Sequence, residues 1–425
     1  MEKISLLKYV KEKNGIDDAL YDNLRYTLDY HVYYFGEHFK YPHEKHGAEK
    51  KTQELKALLK KFFVYYNILT KKTDPGKKAV LSNAYFNFNE ELIRAGYNVL
   101  QPCWSVRKGK GQILGDVKTY QRAERINQQL RNADLHYLTS SAFLEEFESF
   151  KKELASVFLK EDIKALFVPN DVSVFENTAL SVFKEIGRPS FIFLHGLPAR
   201  YNIIDENRSD YLIVWGPKIK EHYVNLGFSP DKILISGHPY YSSARSPQLR
   251  FGLDNILLLA KIGVGSHHSD GVKLYDRGHI IVYLLEMQRV LQKLGVKKVR
   301  LRFHPSANPE WHYKFIDRNF FELDTEPLSA SLSKASLVLG PASTVMLEAL
   351  YSGVNYLVFE PLEEGRTLLN EQPAPPFDGS DPRIPVARNE AELEQYLREK
   401  RMVNVDVLHE YIKTPFDIGF LKEMI

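Results

Sequence analysis

The first 75 residues carry apolar positions at intervals of three and four, a spacing that predicts amphipathic helices. The stretch LKALLKKFFVYYNIL is the clearest example. The turn signal Asp74-Pro75-Gly76 ends this pattern, because proline and glycine interrupt a helix. We therefore predict a helical N-terminal extension over residues 1–75.

After Lys77 the pattern changes to short runs of β-branched and aromatic residues that alternate with amphipathic stretches. Runs such as IKALFVPN, SFIFLHG and DYLIVWG predict strands, and ENTALSVFKEIG predicts one of the helices between them. This alternation is typical of a parallel sheet with helical crossovers. A polar segment, YYSSARSPQLRFG, follows His238-Pro239 and predicts an interdomain linker.

A second series of the same kind follows the linker, with strands predicted at NILLLAKIG, VRLRFHP, SLVLG and VNYLVFEP. Two such series in 425 residues predict an α/β protein with two Rossmann-like domains that face a central cleft. The expected segments are the helical extension, a first domain over 76–245, a second domain over 246–400, and a C-terminal helix over 401–425 that crosses back to the first domain.

Composition and charge narrow the classes of partner. The chain has 57 Lys and Arg against 54 Asp and Glu, and a net charge of +3 provides no field for wrapping nucleic acid. Cys103 is the only cysteine, which excludes an internal disulfide framework and fits a reducing compartment. No signal-peptide pattern and no run of about 20 apolar residues is present, so we expect a cytoplasmic location.

Tyrosine and phenylalanine occur 25 times each, and many of them crowd into the first hundred residues. Aromatic packing within a helical cap explains this crowding most simply. Docking to a membrane surface, as a peripheral protein at its inner face, or to a glycan stays open as an alternative.

Three strand-to-helix turns of the second series carry polar residues, and strand ends form the ligand crevice of an open α/β sheet. The first turn is glycine-rich, which permits close approach of the backbone to a phosphate, although many ordinary turns are also glycine-rich. Its candidate ligand-binding residues are Lys261, Gly263, Gly265, Ser266 and His267.

The other two turns are Arg302-Phe303-His304-Pro305 and GPASTVMLEAL. Pro305 ends the strand and holds His304 extended, so that its imidazole can point into the crevice or instead cap the next loop. Ser343 or Thr344 falls at a helix start, where free N–H groups favour an anion, and Glu348 follows about one turn later. A plain helix cap with a solvated glutamate is the alternative.

Strand-HP followed some forty residues later by strand-GxxST-helix-E resembles the C-terminal half of two-Rossmann-domain (GT-B) glycosyltransferases. More narrowly, it resembles the bacterial sialyltransferases and Kdo transferases that use CMP-activated acidic sugars for capsule and lipopolysaccharide. The resemblance implies that His304, Ser343 and Thr344 hold the nucleotide phosphate. It also implies that the second domain binds the nucleotide sugar and the first binds the acceptor. The acidic pair followed by glycine of the sialyltransferases is missing, which favours Kdo or another CMP-sugar.

The first series offers two catalytic candidates at strand ends. Asp171 follows IKALFVPN, and His195 follows SFIFL. Transfer to a hydroxyl needs a general base, or a carboxylate nucleophile in a retaining enzyme, and we expect Asp171 or His195 to face the acceptor. Capping of the next helix by Asp171, and a local backbone hydrogen bond for His195, are the structural alternatives.

No metal-binding motif is found, so we expect no metal and no cofactor; the helix start, His304 and cations such as Lys261 or Arg302 would stabilise the leaving group. The expected partners are a nucleotide-sugar donor and a glycan or lipid-linked glycan acceptor. Two alternatives remain open: a UDP-sugar transferase or UDP-sugar 2-epimerase of the same fold, and a non-catalytic binding subunit of a polysaccharide assembly complex.

Overall fold

A computed structural model describes most of the chain, and its N-terminal part is helical. The described residues are 11–33, 47–72, 74–107, 111–171, 173–198, 208–241, 247–260, 267–268, 271–272, 278–304, 307, 309–363, 365–367 and 373–425. Helices α1 (Asp18–Tyr33) and α2 (Gly47–Leu69) precede the first strand. Helix α1 buries Leu24 and Leu28, while α2 buries Val64 and Ile68.

The first sheet has seven strands, all parallel, in the order β3-β2-β1-β4-β5-β6-β7. The strands are β1 (Ala79–Ser82), β2 (Asn98–Gln101), β3 (Gln112–Ile113), β4 (Ile163–Val168), β5 (Ser190–Phe193), β6 (Tyr211–Val214) and β7 (Ile233–Ile235). Its helices are α3 (Phe88–Arg94), α4 (Val117–Asn132), α5 (Leu135–Leu138), α6 (Ser141–Lys160), α7 (Val174–Glu185) and α8 (Pro217–Asn225), with a short 3₁₀ turn at Pro230–Lys232. The order reverses between β1 and β4, which is the switch point of a Rossmann sheet.

The second sheet repeats this topology with six parallel strands in the order β12-β11-β8-β13-β14-β17. The strands are β8 (Ile256–Leu259), β11 (Val299–Arg302), β12 (Phe321–Leu323), β13 (Leu337–Gly340), β14 (Tyr356–Phe359) and β17 (Val386–Ala387). Its helices are α9 (Gly278–Lys293), α10 (Pro309–His312), α11 (Leu328–Lys334), α12 (Val345–Tyr351) and α13 (Glu390–Arg398). The switch point lies between β8 and β13. The predicted fold of two Rossmann-like α/β domains is confirmed.

Two small antiparallel hairpins project from the second domain: β9 (His267–His268) with β10 (Gly271–Val272), and β15 (Leu362–Glu363) with β16 (Arg366–Thr367). Strand β9 lies beside helix α1 of the N-terminal part. The N-terminal helical part therefore contacts the second domain as well as the first.

The two domains share one continuous core. One face of the second sheet, with Leu257 and Val338, belongs to the same apolar cluster as the first domain. The opposite face, with Leu258 and Leu339, packs in a separate cluster with α9 and α13. Successive strand residues point to opposite faces, which explains this alternation.

The C-terminal segment lies against the first domain. Its helices are α14 (Val407–Tyr411) and α15 (Leu421–Met424). The backbone N–H of Lys413 donates to Trp215 O at 2.8 Å, and that of Asp417 donates to Ser236 O at 2.7 Å. The chain thus returns from the second domain and ties the ends of β6 and β7.

Candidate active site

The edge of the second sheet is closely packed at the switch point. A Cβ on Gly340 would stand 2.5 Å from the Tyr356 hydroxyl oxygen and 3.0 Å from Leu259 Cβ, so only glycine fits there. The Tyr356 hydroxyl donates to Pro341 O at 2.6 Å, and the buried Glu360 carboxylate accepts from the backbone N–H of Ala342 at 2.6 Å. Tyr356 in β14 and Glu360 just after it therefore fix the turn that leads to Ser343.

Helix α12 begins directly after this turn, with Thr344 at its N-cap. The Ser343 hydroxyl accepts from the N–H of Val345 at 3.2 Å. Glu348 lies half-buried on the first turn, and burial raises the pKa of its carboxyl group while the charge of Arg302 opposes the shift. Glu348 and Arg302 therefore share one electrostatic environment, as expected for residues at or after the ends of the two strands that flank β8.

Arg302 and His304 follow β11, which is separated from β13 by β8 alone. The Arg302 guanidinium donates to Glu326 O at 2.7 Å and lies 3.3 Å from the buried Asp324 carboxylate, so part of its charge is already compensated. His304 is exposed, and partial desolvation lowers the pKa of its imidazole. A neutral His304 at pH 7 would act on a phosphate as a hydrogen-bond donor rather than as a cation.

His195 follows β5 at the edge of the first sheet. Its Nδ1 lies 2.9 Å from the carbonyl oxygen of Pro169. A carbonyl oxygen only accepts, so Nδ1 carries the proton and Nε2 of the neutral ring keeps its lone pair. The ring is open to solvent on one side, while the protein around it lowers its pKa by desolvation. This arrangement holds His195 neutral and leaves Nε2 free to take a proton.

The two edges touch at the turn after His195. The backbone N–H of Leu197 donates to Thr344 Oγ1 at 2.9 Å across the domain boundary. A Cβ on Gly196 would stand 3.1 Å from the same oxygen, so a side chain there would crowd the Thr344 hydroxyl. His195 of the first domain and the Ser343-Thr344 helix start of the second therefore lie at one cleft.

Asp171 does not match the role expected for it at the acceptor. Its side chain is fully buried, and its carboxylate accepts from the backbone N–H of Arg208 at 2.9 Å. The Arg208 guanidinium donates in turn to the Asp171 carbonyl and to both carboxylate oxygens of Asp22 in α1. Burial and these bonds make Asp171 a support for the loop and for helix α1, rather than a group that meets a substrate.

A cluster of aromatic side chains surrounds His238 beyond the carboxyl ends of β1, β6 and β7, and the sequence interpretation missed it. His238 is buried, and burial lowers its pKa to about 3. Its ring centroid lies 4.6 Å from those of Phe86 and Trp215, and 4.7 Å from that of Tyr241. The aromatic residues Phe86, Trp215 and Tyr241 were available as a signal, but they were assigned to a loop, a strand end and a linker respectively.

Tyr241 also connects the domains. Its ring stacks on that of Tyr351 at the end of α12, with centroids 4.2 Å apart and planes 15° from parallel. Phe86 and Asn87, which precede α3, both have positive φ near 58°, a conformation that side chains rarely adopt. Tertiary contacts, rather than the conformational preference of its own residues, therefore stabilise the turn that places Phe86 against His238.

The remaining candidates of the second domain lie outside the described residues or lack a described side chain. Outside the described residues are Lys261, Gly263, Gly265, Ser266 and Pro305. For His267 the structure gives only the backbone, in β9 beside α1. Within the described part of the chain, no three His, Cys, Asp or Glu side chains are grouped to hold a metal ion, and no helix is long and apolar enough to cross a membrane.

Comparison with known proteins gives distant structural likenesses and no sequence relative. No protein-family model matches the chain, and a search of curated proteins found no match. A UDP-GlcNAc 2-epimerase from Neisseria meningitidis, solved with UDP-GlcNAc bound, is 12% identical with a TM-score of 0.46 over 81% of this chain and 97% of its own. The 2-epimerase from Methanocaldococcus jannaschii is 13% identical with a TM-score of 0.43, covering 81% and 96%.

A variant of the wall teichoic acid polymerase TagF is 12% identical with a TM-score of 0.42, covering 88% of this chain and 95% of its own. All three likenesses extend over both domains. Since each TM-score is below 0.5, they carry no weight for the reaction, which has to be argued from the residues of the cleft.

Proposed function

We propose that the protein transfers a sugar from a nucleotide-activated donor to a hydroxyl acceptor, with His195 as the general base. The observation that carries the proposal is the position of His195: Nδ1 is fixed on Pro169 O, and the adjoining turn is bonded to Thr344. A base fixed in one tautomer beside the expected donor site has the geometry that deprotonation of an acceptor requires.

The proposed reaction places the donor on the second domain. Nε2 of His195 takes the proton of the acceptor hydroxyl, and the hydroxyl oxygen bonds to the anomeric carbon of the donor. The bond between that carbon and the phosphate oxygen breaks, and the nucleotide leaves with the bonding electrons. His304 and Ser343 would donate hydrogen bonds to the phosphate, while Glu348 would accept from a ribose hydroxyl.

A CMP-activated acidic sugar such as CMP-Kdo is the proposed donor, on the basis of the strand-HP and GxxST motifs. UDP-sugars are the alternative donors. Thermal unfolding of the purified protein with CMP-Kdo, CMP-sialic acid, UDP-GlcNAc and a GDP-sugar separates them. We expect the largest rise in Tm with a CMP-sugar. A rise with UDP-GlcNAc alone would replace the donor and keep the transferase class.

A UDP-sugar 2-epimerase is the second candidate function. It is favoured by one observation: burial raises the pKa of Glu348 and lowers that of His195, so one cleft holds a carboxyl group that can keep a proton and an imidazole that can accept one. Removal of the proton on carbon 2 by one group would form a double bond between carbons 1 and 2 as the bond from carbon 1 to the nucleotide breaks, and return of a proton to the other face with re-addition of the nucleotide would invert carbon 2 without an acceptor.

Product analysis in deuterium oxide distinguishes the two functions. An epimerase introduces deuterium at carbon 2 of UDP-GlcNAc with no acceptor present, which proton NMR detects. A transferase leaves carbon 2 unlabelled and releases free nucleotide when a glycan acceptor is added. A protein that binds nucleotide but does neither with any donor would be the non-catalytic subunit.

A further inference from the structure

Arg107 lies just after β2 at the cleft edge of the first sheet, and its guanidinium carbon is 4.4 Å from the centroid of the Tyr85 ring. The backbone N–H of Arg107 donates to Gln101 Oε1 at 2.7 Å, which fixes the main chain. Among the residues that the structure describes, no carboxylate lies within ion-pair distance of this guanidinium. A half-buried guanidinium stacked on a ring keeps the N–H groups along its edge available to an anion.

Tyr85 joins Arg107 to the proposed base. Its ring is 39% exposed, and its centroid lies 5.8 Å from that of His195. The open surface next to His195 is therefore an aromatic ring with a cation against it. An aromatic face binds the apolar face of a sugar ring, and a guanidinium binds a carboxylate or phosphate on it.

The buried Glu176 interacts electrostatically with Arg107, but it makes no ion pair with it. The Glu176 carboxylate accepts from Asn83 Nδ2 at 2.7 Å and from Trp104 Nε1 at 3.3 Å. Burial raises the pKa of Glu176 and so disfavours its negative charge, although the charge of Arg107 opposes this shift. The buried carboxyl group is thus held by neutral donors, and the guanidinium remains available.

We propose that Arg107 and Tyr85 form an acceptor subsite that binds an anionic group, a carboxylate or a phosphate, on the sugar that attacks the donor. The word acceptor rests on the proposed function, whereas anion-selective binding at Arg107 does not. The acceptor class that follows is an acidic or phosphorylated glycan.

Binding of small probes tests this subsite without turnover. The probes are trigalacturonate, its neutral methyl ester and glycerol 3-phosphate, measured by calorimetry with the full chain. We expect trigalacturonate or glycerol 3-phosphate to bind about tenfold more tightly than the ester, as a charged hydrogen bond provides. The stronger probe identifies carboxylate or phosphate as the recognised group.

The variant Arg107→Gln should remove this preference. Arg401→Gln is the matched control, because Arg401 stacks on Tyr396 at 4.3 Å in the same way but after α13 of the second domain. The control should keep the preference. Equal binding of charged and neutral probes by the wild type, no binding of any probe, or an unchanged preference in Arg107→Gln would overturn the subsite. A wild-type protein that keeps the anion selectivity but shows no sugar transfer would contradict the proposed function alone.

A second inference comes from helix α2, which is apolar on two opposite faces. One face packs on the core through Val64 and Ile68. The other is solvent-exposed: five large apolar side chains are between 58% and 77% exposed. They are Leu58, Leu59, Phe62, Tyr66 and Leu69. At 100° per residue they fall within an arc of about 100°, which is the width of a docking face.

Charge on the same helix indicates what covers this α2 face. The helix contains five lysines and two glutamates, and its net charge of +3 equals that of the whole chain. Lys60 and Lys61 lie in the described part of α2, are exposed, and have no carboxylate at ion-pair distance there. At 100° per residue Lys61 and Lys60 lie about 110° and 150° from the centre of the apolar face, beside and behind it, so the argument for a membrane is the net positive charge of the helix, which an anionic lipid surface attracts.

We infer that the α2 face docks on an anionic membrane surface, with its apolar side chains between the head groups. Sedimentation with vesicles of phosphatidylglycerol and phosphatidylcholine, and with vesicles of phosphatidylcholine alone, tests this. The wild type should bind the anionic vesicles. The charge reversal Lys60→Glu with Lys61→Glu should reduce the partition coefficient by about tenfold or more, because each lysine contributes roughly 1 kcal/mol.

The change Leu58→Ser with Phe62→Ser should reduce binding to a similar extent, since both side chains lose their apolar contact. Phe315→Ser is the matched control, because Phe315 is 53% exposed on the second domain. Equal binding to both vesicle types, or wild-type binding by the charge-reversed variant, contradicts the inference. A dimer in solution that Phe62→Ser dissociates would show that a second copy occupies the face instead.

Discussion

The two edges of the cleft are formed by different kinds of residues. The edge of the first sheet carries aromatic and titratable side chains with shifted pKa values, among them His195 and His238. The edge of the second sheet is a short turn of small residues, held from behind by Tyr356 and Glu360. A tuned imidazole suits proton transfer, and a rigid backbone turn suits the binding of a fixed group. Under the proposed function, this difference assigns proton transfer to the first domain and donor binding to the second.

Removal of the imidazole at His195 tests the reactive edge most strongly. Asn in its place can still donate to Pro169 O but has no base, so kcat/KM should fall by about 10³-fold, within the usual range for a general base. The acid limb of the wild-type pH profile, expected below pH 6.5 because desolvation lowers the pKa of His195, should vanish. His136→Asn, an exposed position in α5, should change neither.

Acid stability tests the aromatic cluster around His238 at the same edge. Burial lowers the pKa of His238 to about 3 from an ordinary 6.5, so the folded protein binds this proton less readily than the unfolded chain. The resulting stability is present above pH 6.5 and is lost as the pH falls toward 3, by roughly 5 kcal/mol for the full shift. Urea unfolding at a series of pH values across this range should show that the free energy of unfolding of His238→Gln falls less steeply with pH than that of the wild type. His409→Gln, an exposed position, should keep the pH dependence of the wild-type free energy of unfolding.

Crowding at Gly340 tests the rigidity of the holding edge. Alanine would bring its Cβ to 2.5 Å from the Tyr356 hydroxyl, so the turn must shift. We expect a loss of about 1–3 kcal/mol in the free energy of unfolding, together with weaker nucleotide binding. Gly76→Ala is the control, because its nearest neighbour stands at 3.4 Å. Unchanged stability in Gly340→Ala would show that the turn is not held by Tyr356.

Loss of the hydrogen bond between the two edges is expected to have the smallest effect. Thr344→Val keeps the shape of the side chain but leaves the N–H of Leu197 without its acceptor. A loss of about 1–2 kcal/mol in stability is expected, and Thr344→Ser should restore it. Serine failing to rescue the valine variant would mean that the methyl contacts, not the hydrogen bond, join the domains.

Short apolar runs separated by amphipathic helices predicted both sheets. Parallel strands that are buried on both faces produce continuous runs such as IKALFV and NILLL, which few other structures explain. The candidate residues at strand ends were equally accessible, since a Rossmann sheet presents those ends to its ligand. His195, Ser343 and Thr344 were selected as candidates in this way.

Contacts between distant segments could not be predicted from a single sequence. Asp171 has the right residue type at a strand end, yet the pairing of Arg208 with Asp22 covers it. The stack of Tyr241 on Tyr351 joins residues 110 positions apart, one of them in the predicted linker. Similarly, the pairing of Arg107 with Tyr85 depends on how the turns after β1 and β2 fold beside each other.

A crystal structure of the protein with a nucleotide sugar tests most directly whether one cleft serves both edges. We expect the donor phosphate within hydrogen-bond distance, about 2.7–3.2 Å, of donors in the Ser343 turn, and the anomeric carbon facing His195 Nε2. A donor bound away from the Ser343 turn, or one whose anomeric carbon faces away from His195, would contradict the division into a reacting and a holding domain.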